Sequence, residues 1–477
     1  MNELVTPVVV GFVIGIAFVV TFSILPNPSA MVTTLGESIV GENVTQHYTF
    51  SSPMNLLNAY GTGGIHITSY GNNVYLTWYA PVPVNATERE RGLIASSDAF
   101  FARSSDGGTT FSPKISLTNR TMVNDPLIAA DEDSVYLLWT ATGRYEKITD
   151  AYDDIFFRAS QDNGATLGHI INLSDNVGNS QHPQIAVSGN NVYVVWEDYT
   201  TAKGQILLRT SNDRGNTFGS LINLSRDTES SQAPQIAVYN NHVYVVWHDI
   251  EPEDRIVFRA SNDNGATFSK PINLRTVHTG ASCCPKIATS SNDVYVIWAD
   301  NELGELYSGY YNLHFRASHN RGITFDHIIN LSEIARDYKI AASGKNVYVT
   351  WTNVLQVNST IENAEAFFSR STDNGIRFEK PINLSNNEGS SGNQQIAVSG
   401  NKVYVAWVDH TLGYDEILFR GSDDNGVSFG RLINLSNSTG ISVDPRIAVA
   451  DEKVYIAWVE FGDESHNNGI FFVRTIN

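Results

Sequence analysis

The sequence predicts an all-β protein, a closed β-propeller of four-stranded blades, and three observations lead to that prediction. A Val-Tyr-x-x-Trp run recurs and accounts for all eight tryptophans: Trp78, Trp139, Trp196, Trp247, Trp298, Trp351, Trp407 and Trp458. Successive tryptophans are 51 to 61 residues apart, a period that indicates a repeat architecture. Within the repeats, no stretch has helical periodicity of useful length.

The order of short runs within one unit predicts four strands. Residues 182–225 contain an apolar run ending in a Gly-Asn turn, then VYVVW, then QILLRTS after a polar loop, and finally SLINLS after a tight turn. Each run is rich in β-branched residues and is bounded by turn residues, as strands are. Because both faces of VYVVW are apolar, both faces of its sheet must be covered. Radially stacked sheets meet that requirement, and this arrangement is a β-propeller.

The two ends of the repeat region predict a closed ring. The last unit stops after its third strand, at residues 470–477, and residues 49–56 parallel the turn and fourth strand at 267–274. An N-terminal strand that completes the last blade would remove the open edges of the ring. We therefore expect one propeller over residues 47–477, with eight blades.

Composition excludes several classes of protein. The 477 residues carry 50 acidic and 31 basic side chains, a formal net charge of −19, and 42% are hydrophobic. A packed core is therefore expected, and a nucleic-acid partner is not, because phosphate binding needs clustered Lys and Arg. Two cysteines cannot build a disulfide-rich scaffold.

The N-terminal region predicts a membrane attachment. After a short tail of residues 1–5, residues 6–26 are uncharged and long enough for a transmembrane helix or signal anchor, and residues 27–46 are a linker. A cleaved signal peptide is the alternative, but the segment has no basic n-region and Ala30 ends a poor cleavage site. We expect a membrane-anchored protein with the propeller extracellular, or a secreted one after signal cleavage. Ten N-x-S/T sequons fit that location.

A tight turn of the form S-x-D-x-G-x-T-F recurs in seven units. Its acidic or amide position is occupied by Asp106, Asp162, Asp213, Asp263, Asn320, Asp373 and Asp424. The carboxylate can accept backbone N–H groups within the turn, Gly supplies a positive φ, and the aromatic residue packs into the blade. We therefore predict a structural role for these turns.

This turn resembles the Asp-box, or bacterial neuraminidase repeat, of the sialidase-like propeller superfamily, and the resemblance extends over residues 47–477. It implies the propeller fold, with the Asp-boxes on the face away from the active site. Sialidases of the superfamily usually have six blades. They use three arginines, the first in an Arg-Ile-Pro motif, with a Tyr nucleophile activated by Glu and an Asp acid/base. No Arg-Ile-Pro occurs here, so the catalytic set is not transferred.

A few residues are nevertheless candidates for catalysis. One third-strand position holds arginine in all eight units, which indicates scaffold rather than catalyst. Arg336 and Arg446, near the starts of inner strands, are better candidates for a carboxylate clamp. A nucleophile and its base could come from one long loop that contains Glu305, Tyr307, Tyr310 and Tyr311.

Function is expected on the face opposite the Asp-boxes, where the units differ, and we call it the upper face. Five units carry an acid two residues past the Trp: Asp198, Asp249, Asp300, Asp409 and Glu460. A ring of such acids would favour calcium or a cationic ligand, although Asp also suits a strand-end turn. The histidines of the same loops, His248, His410 and His466, are expected to be solvated.

The position before the inner-strand proline also varies between units. Metal-ligand residue types occur there or beside it: Asp125, His182, Cys283, Cys284, Asp337 and Asp444, while Ala233 and Asn393 occupy the position in two other units. If this strand lines the channel, these groups converge on the axis. Thiolate and imidazole favour copper or zinc over calcium. A disulfide between the adjacent cysteines is the alternative.

These observations favour a non-catalytic module that binds a glycan, peptide or cation on its upper face, with a glycan or a protein as partner. The missing Arg-Ile-Pro and the extra blades weigh against the alternative, an exo-acting glycoside hydrolase of sialidase type. A metal-binding surface protein is the second alternative. Fold alone does not decide among them.

Overall fold

A computed structural model describes residues 48–476, apart from residues 59–60, 84–96, 119–120, 143–151, 202, 227–229, 252, 276–279, 302–310, 359–360, 412 and 463–467. The predicted membrane segment, Glu305, Tyr307, Tyr310 and His466 lie outside the described residues, as does the side chain of Asp125. Within the described ranges, no helix combines the length and apolar character that crossing a bilayer requires.

The described chain forms 32 strands, grouped here by blade. The first half comprises β1 (Met54–Asn58), which belongs to the last blade; β2 (Gly63–Tyr70), β3 (Asn73–Pro81), β4 (Ser97–Ser104) and β5 (Ile115–Ser116); β6 (Met122–Asp131), β7 (Ser134–Thr142), β8 (Asp153–Ser160) and β9 (Ile171–Asn172); β10 (Ser180–Ser188), β11 (Asn191–Asp198), β12 (Gln205–Ser211) and β13 (Ile222–Asn223); β14 (Ser230–Tyr239), β15 (His242–Glu251), β16 (Arg255–Ser261) and β17 (Ile272–Asn273).

The second half comprises β18 (Ala281–Ser290), β19 (Asp293–Asn301), β20 (Asn312–Ser318) and β21 (Ile329–Ser332); β22 (Ala335–Ser343), β23 (Asn346–Asn358), β24 (Ile361–Ser371) and β25 (Ile382–Asn383); β26 (Ser391–Ser399), β27 (Lys402–Asp409), β28 (Glu416–Ser422) and β29 (Ile433–Asn434); β30 (Ile441–Ala450), β31 (Lys453–Phe461) and β32 (Gly469–Arg474).

These strands form eight four-stranded antiparallel sheets, which confirms the predicted eight blades. Within a blade the strands follow one another from the inner to the outer edge, as in β10-β11-β12-β13. The last blade has the order β1-β32-β31-β30, so an N-terminal strand completes it as predicted. Met54 pairs with Phe472 in this closing contact, and the Ile476 amide donates to the Thr49 carbonyl at 2.9 Å.

The eight inner strands β2, β6, β10, β14, β18, β22, β26 and β30 pack side by side in a closed ring, with β30 against β2. Their residues are mostly half-buried along the strand, as in β10, whereas the second strands are buried throughout. The inner strands therefore surround a central channel.

The second strand of each blade forms the core between blades. In blade three, Val192–Trp196 are fully buried. Val194 and Trp196 pack against blade two, whereas Tyr193 and Val195 pack against blade four. Burying each such side chain contributes roughly 1.5–3 kcal/mol, so every blade is stabilised by both of its neighbours.

The Asp-box turns hold the lower ends of the blades together. In the second blade, Ser160 Oγ donates to Asp162 Oδ1 at 2.7 Å, and Asp162 accepts the Thr166 amide at 2.8 Å and its hydroxyl at 2.6 Å. The Gly164 amide donates to Ser160 Oγ at 2.9 Å. The bonds from Thr166, followed by that from Ser160, lower the pKa of Asp162 to about 2.

Each Asp-box also contacts the preceding blade. The edge of the Phe218 ring packs on Phe157 of blade two, with the centroids 4.9 Å apart. Gly215 has a φ of +79°, and a Cβ there would lie 2.6 Å from Phe157 Cζ. The Arg214 amide donates to the Asn190 carbonyl at 2.9 Å, so the Asp-box and the first hairpin turn share one face, the lower face.

The recurring third-strand arginines are scaffold, as predicted. Arg259 Nε donates to the Ser269 carbonyl at 2.7 Å within its own Asp-box region, and its NH1 donates to the Leu224 carbonyl of the preceding blade at 2.8 Å. Arg316 repeats this pattern, reaching the Leu274 carbonyl at 3.0 Å. Arg259 and Arg316 thus bind backbone carbonyls of two neighbouring blades, as scaffold residues do.

Candidate functional site at the upper mouth of the channel

The variable position before the inner-strand proline is a β-bulge at the upper end of the strand. The pairing of each inner strand with its neighbour shifts there in every blade. The residue at the bulge has a left-handed φ of 46° to 58° in seven blades: Gly64, His182, Ala233, Cys284, Asp337, Asn393 and Asp444. A bulge changes the direction of a side chain. We call these seven residues the upper mouth.

The predicted metal-ligand candidates are distributed over several blades. Among the residues that the structure describes, no three His, Cys, Asp or Glu side chains come together as metal ligands. His182, the Cys283–Cys284 pair, Asp337 and Asp444 lie at the bulges of four different blades, so a copper, zinc or calcium site stays a prediction.

The five acids that follow the tryptophans do not form a charged ring. All are at most 5% exposed: Asp198, Asp249, Asp300, Asp409 and Glu460. Asp249 accepts Ser231 Oγ and Trp247 Nε1, each at 2.6 Å, and burial raises its pKa. Hydrogen bonds of this kind tie the start of an inner strand to the end of the second strand. This burial favours the alternative of a strand-end structural role over a ring of exposed acids.

A buried ion pair joins the segment after β17 of blade four to the second strand of blade five. Arg275 binds both carboxylate oxygens of Asp300, at 2.8 and 3.0 Å, and both side chains are at most 2% exposed. His248 was expected to be solvated, but it is buried, with Nε2 3.3 Å from Asp254. His410 is exposed as expected and lies 2.9 Å from Asp415.

Glu197 connects two neighbouring bulges, and the sequence reasoning missed it. Its carboxylate is buried, lies 3.0 Å from His182 Nδ1, and accepts the Tyr199 hydroxyl at 3.2 Å and the Ala233 amide. Burial, followed by the charge of Glu197, raises the pKa of Tyr199, so the phenol keeps its proton. The available signal was an acid directly after Trp196, a position where other units have uncharged or histidine side chains.

The structure places the two candidate arginines on two blades, and the charge of Arg336 acts on the Tyr311 phenol. Arg336 precedes the bulge of blade six, whereas Arg446 follows the bulge of blade eight by two residues. The Tyr311 carbonyl accepts the Ala335 amide at 2.9 Å, and burial raises the pKa of the Tyr311 phenol. Because the rest of the candidate loop lies outside the described residues, the carboxylate clamp and its tyrosine stay a prediction.

Cys283 and Cys284 are free thiols rather than a disulfide. Cys283 is half-buried and packs between blades, while Cys284 is exposed. The Cys283 thiol donates a hydrogen bond to Cys284, which lowers the pKa of Cys284 and raises that of Cys283. The Tyr338 hydroxyl donates to the Cys284 carbonyl at 2.9 Å and accepts the Ala299 amide at 3.0 Å, which fixes the backbone of this bulge.

A second variable layer lies two residues below the bulges in the channel. It contains His66, Leu127, Gln184, Gln235, Lys286, Lys339, Gln395 and Arg446. The sequence carried this signal, because in five units the residue directly follows the inner-strand proline. Three cations therefore lie in one half of the ring.

Aromatic side chains are exposed in the loops that follow the second strands. Tyr199 is 36%, Tyr152 43% and Tyr414 52% exposed. The loops lie on the upper face because they connect the upper ends of second and third strands. They surround a mouth whose own side chains are mostly polar.

The fold and the seven Asp-boxes define a sialidase-like Asp-box propeller. The chain belongs to the BNR repeat-like domain family, whose model matches residues 76–333, more than half of the chain. The match begins in β3 and ends one residue after β21. The Asp-boxes at Asp373 and Asp424 continue the same turn beyond it.

Solved structures offer more distant likenesses. The polysaccharide lyase Uly1 is 10% identical, with 73% of this chain and 89% of that chain covered and a TM-score of 0.47. A PL25 ulvan lyase is 10% identical, with coverages of 87% and 94% and a TM-score of 0.45. The intramolecular trans-sialidase of Ruminococcus gnavus is 11% identical, with coverages of 88% and 95% and a TM-score of 0.39. At such scores these likenesses say nothing about what this chain binds or does.

A comparison with curated protein sequences finds no match.

Proposed function

We propose that the protein is a non-catalytic binding module and that its upper mouth binds a glycan. One observation carries the proposal: the bulges keep the same backbone conformation around the ring while the side chain they present differs from blade to blade. A scaffold requirement would favour one residue type at this position, as it does at the third-strand arginines. Side chains that vary on a constant backbone are expected at a surface that recognises a ligand.

The chemistry of the mouth suits a glycan. His182 and Asp337 are exposed and Asn393 is half-exposed, so the mouth offers hydrogen-bond donors and acceptors for sugar hydroxyls. The exposed tyrosines around it supply flat apolar faces with a polar tip, which suit the apolar face of a sugar ring. The cation ligand considered from the sequence loses its support, because the acids that would bind it are buried.

Matched glycine substitutions test this proposal. Asn393 at the mouth and Asn240 on the lower face both have a φ of 53°, so glycine removes each side chain without straining the backbone. We expect the full-length protein to bind members of an array of neutral and acidic oligosaccharides. Asn393→Gly combined with Asp337→Gly should weaken that binding at least tenfold, and Asn240→Gly should not change it.

Two results would overturn the proposal. One is the absence of binding across the array, and the other is equal loss in the upper-mouth and lower-face variants. Capture of peptides rather than glycans by the same mouth would replace the glycan with a peptide ligand.

One observation favours a sialidase-type hydrolase as a second candidate. Tyr199 donates to Glu197, a pairing of the residue types that family sialidases use as nucleophile and base. Against it, the raised pKa keeps Tyr199 protonated, and Glu197 is already engaged with the next bulge. Mass spectrometry of the array glycans after incubation separates the two functions, because cleavage that Tyr199→Phe abolishes would establish the hydrolase.

The location of the module is also a proposal. We infer that residues 6–26 anchor the propeller outside the cell, on the apolar sequence of that segment. Sedimentation of the full-length protein with membranes, resistant to alkaline carbonate and reversed by detergent, tests the anchor. Recovery in the soluble fraction would exclude it.

A further inference from the structure

We infer that the central channel holds an anion-binding site formed by Lys286, Lys339 and Arg446, which accepts an oxyanion: a carboxylate, sulfate or phosphate group. The site deepens the proposed function, because it identifies the ligand as a glycan that carries such a group, and it can also be tested with free ions.

The three cations occupy equivalent positions on the inner wall. Each lies two residues below a bulge, on β18, β22 and β30 respectively. The strands β18 and β22 are neighbours, and only β26, with Gln395, separates β22 from β30. Arg446 Nε donates to the Ile65 carbonyl of the next blade at 2.8 Å, so its guanidinium lies against the ring.

Their charges meet across the channel. Lys339 interacts electrostatically with Lys286 in the adjacent blade and with Arg446 two blades away. His66, three blades from Lys339, also interacts with it and with Arg446. Side chains so far apart around a ring can influence one another only if they face its axis.

The two lysines lack counterions in the described part of the chain. Neither ammonium makes a hydrogen bond there or has a carboxylate within 4 Å, whereas Lys402 on the lower face lies 2.7 Å from Glu452. Arg446 pairs with Asp444 at 3.0 Å, and Asp337 is the other carboxylate that acts on Lys339. The channel therefore contains three cations and two mouth carboxylates, and the Cys284 thiol, whose pKa is lowered, also acts on Lys286.

Unpaired charge in such a place opposes folding unless a ligand compensates for it. Burial lowers the pKa of Lys339 to about 8, and the charges of Lys286 and Arg446 add to this effect. Burial also lowers the pKa of His66 to about 3, with a smaller effect from the charges of Arg446 and Lys339. His66 is therefore neutral at pH 7. An oxyanion would accept hydrogen bonds from both ammonium groups and complete the site.

The first experiment uses the full-length protein with sodium sulfate and sodium phosphate as probes. We expect each ion to raise the thermal midpoint by roughly 2–5 °C at saturation. Lys286→Gln and Lys339→Gln should each weaken sulfate binding at least tenfold in calorimetry, and Lys339→Arg should retain it. Lys345→Gln, an exposed lower-face lysine, is the matched control and should bind like the unchanged protein.

A pH series separates binding from a structural role. Sulfate keeps its charge between pH 7 and 9, so its affinity should fall as Lys339 loses its proton around pH 8. The pKa of Cys284, which interacts with Lys286, is lowered to about 7, so the series uses Cys284→Ser as background, and there Lys339→Gln should flatten the profile. In the absence of anion, the same substitution should raise the thermal midpoint at pH 7, because the surroundings of Lys339 disfavour its charged form.

The outcomes distinguish this inference from the proposed function. Sulfate binding that depends on the lysines, without glycan binding, keeps the channel site and removes the glycan proposal. In another outcome, a carboxylated or sulfated glycan binds more tightly than free sulfate and loses that binding in Lys339→Gln and in Asn393→Gly. This result supports the channel site and the glycan proposal together. No thermal shift with either ion, or a shift that survives the double substitution Lys286→Gln/Lys339→Gln, overturns the anion site.

Discussion

At the lower face, seven Asp-box turns repeat nearly the same side chains and hydrogen bonds, whereas at the upper mouth seven bulges repeat only a backbone conformation. Even the variant box at Asn320 keeps the Thr324 amide on its side-chain oxygen at 2.9 Å. By contrast, the bulges hold glycine, alanine, histidine, cysteine, asparagine and two aspartates.

The ionisable groups of the two regions differ in the same sense. Carboxylates of the Asp-boxes are stabilised in their charged form by local donors, as for Asp162. Above them, burial disfavours the charged form of Asp249 and of Lys339. The turns that repeat the same side chains thus stabilise the fold. The surface where polar side chains vary, or where burial disfavours their charge, is the one available to a ligand.

The largest expected difference in stability is between a glycine-to-alanine substitution on the lower face and an alanine-to-glycine substitution at the upper mouth. Gly215→Ala on the lower face should destabilise the fold by about 3 kcal/mol, because a left-handed φ is combined with overlap on Phe157. Ala233→Gly at the upper mouth should leave stability unchanged or raise it by up to about 1 kcal/mol, since its φ of 53° suits glycine. Denaturation followed by tryptophan fluorescence gives both values, and equal losses would contradict the comparison.

A smaller effect is expected from the carboxylates as pH changes. The depressed pKa of Asp162 means that its stabilisation is present above pH 4 and is lost as pH falls towards 2. The raised pKa of Asp249 has the opposite sign, so its carboxylate disfavours the fold as pH rises through the range above 4. Asp162→Asn should therefore reduce the loss of stability on acidification, and Asp249→Asn should increase it.

Urea midpoints at pH 3 and pH 6 measure these changes, and Asn320→Asp is the natural control. Because Asn320 already fulfils the role of the box carboxylate, adding a charge there should increase the acid-induced loss. Identical pH profiles for all three variants would show that the two regions do not differ in this respect.

Substitutions at the two thiols should have the smallest effect on stability. They should nevertheless change thiol reactivity clearly. Cys284 is exposed and its pKa is lowered by the Cys283 thiol, so iodoacetamide should alkylate Cys284 first. Cys283→Ala removes the donor and should shift the reaction to higher pH, with little change in the thermal midpoint. Mass spectrometry at successive times identifies the modified residue, and preferential labelling of Cys283 would contradict the assignment.

Most of the fold could be predicted because it depends on local, repeated signals. Strand order, blade number, the closing strand and the Asp-box turns follow from patterns within one unit and from the incomplete last unit. The scaffold role of the arginines also followed, since a residue present in every blade has no special place in the ring.

The site was less predictable because it depends on which residues meet between blades. Asp249 looks the same in sequence whether it faces solvent or Ser231, and only the packing decides. The contact of Glu197 with the next bulge, and the coupling of Lys339 to Arg446, join residues 36 and 107 positions apart. A single sequence contains no signal for such pairs.

The closing strand has a consequence in time. Blade eight needs β1 from the start of the propeller and β32 from its end, residues separated by more than 400 positions. Seven blades can form from neighbouring segments as the chain is made, but the last sheet must wait until β32 has been synthesised. Until then, the outer edge of blade eight is unpaired and the ring is open. Closure of the ring is therefore a late event of folding, and a chain that ends before β32 cannot complete the last blade.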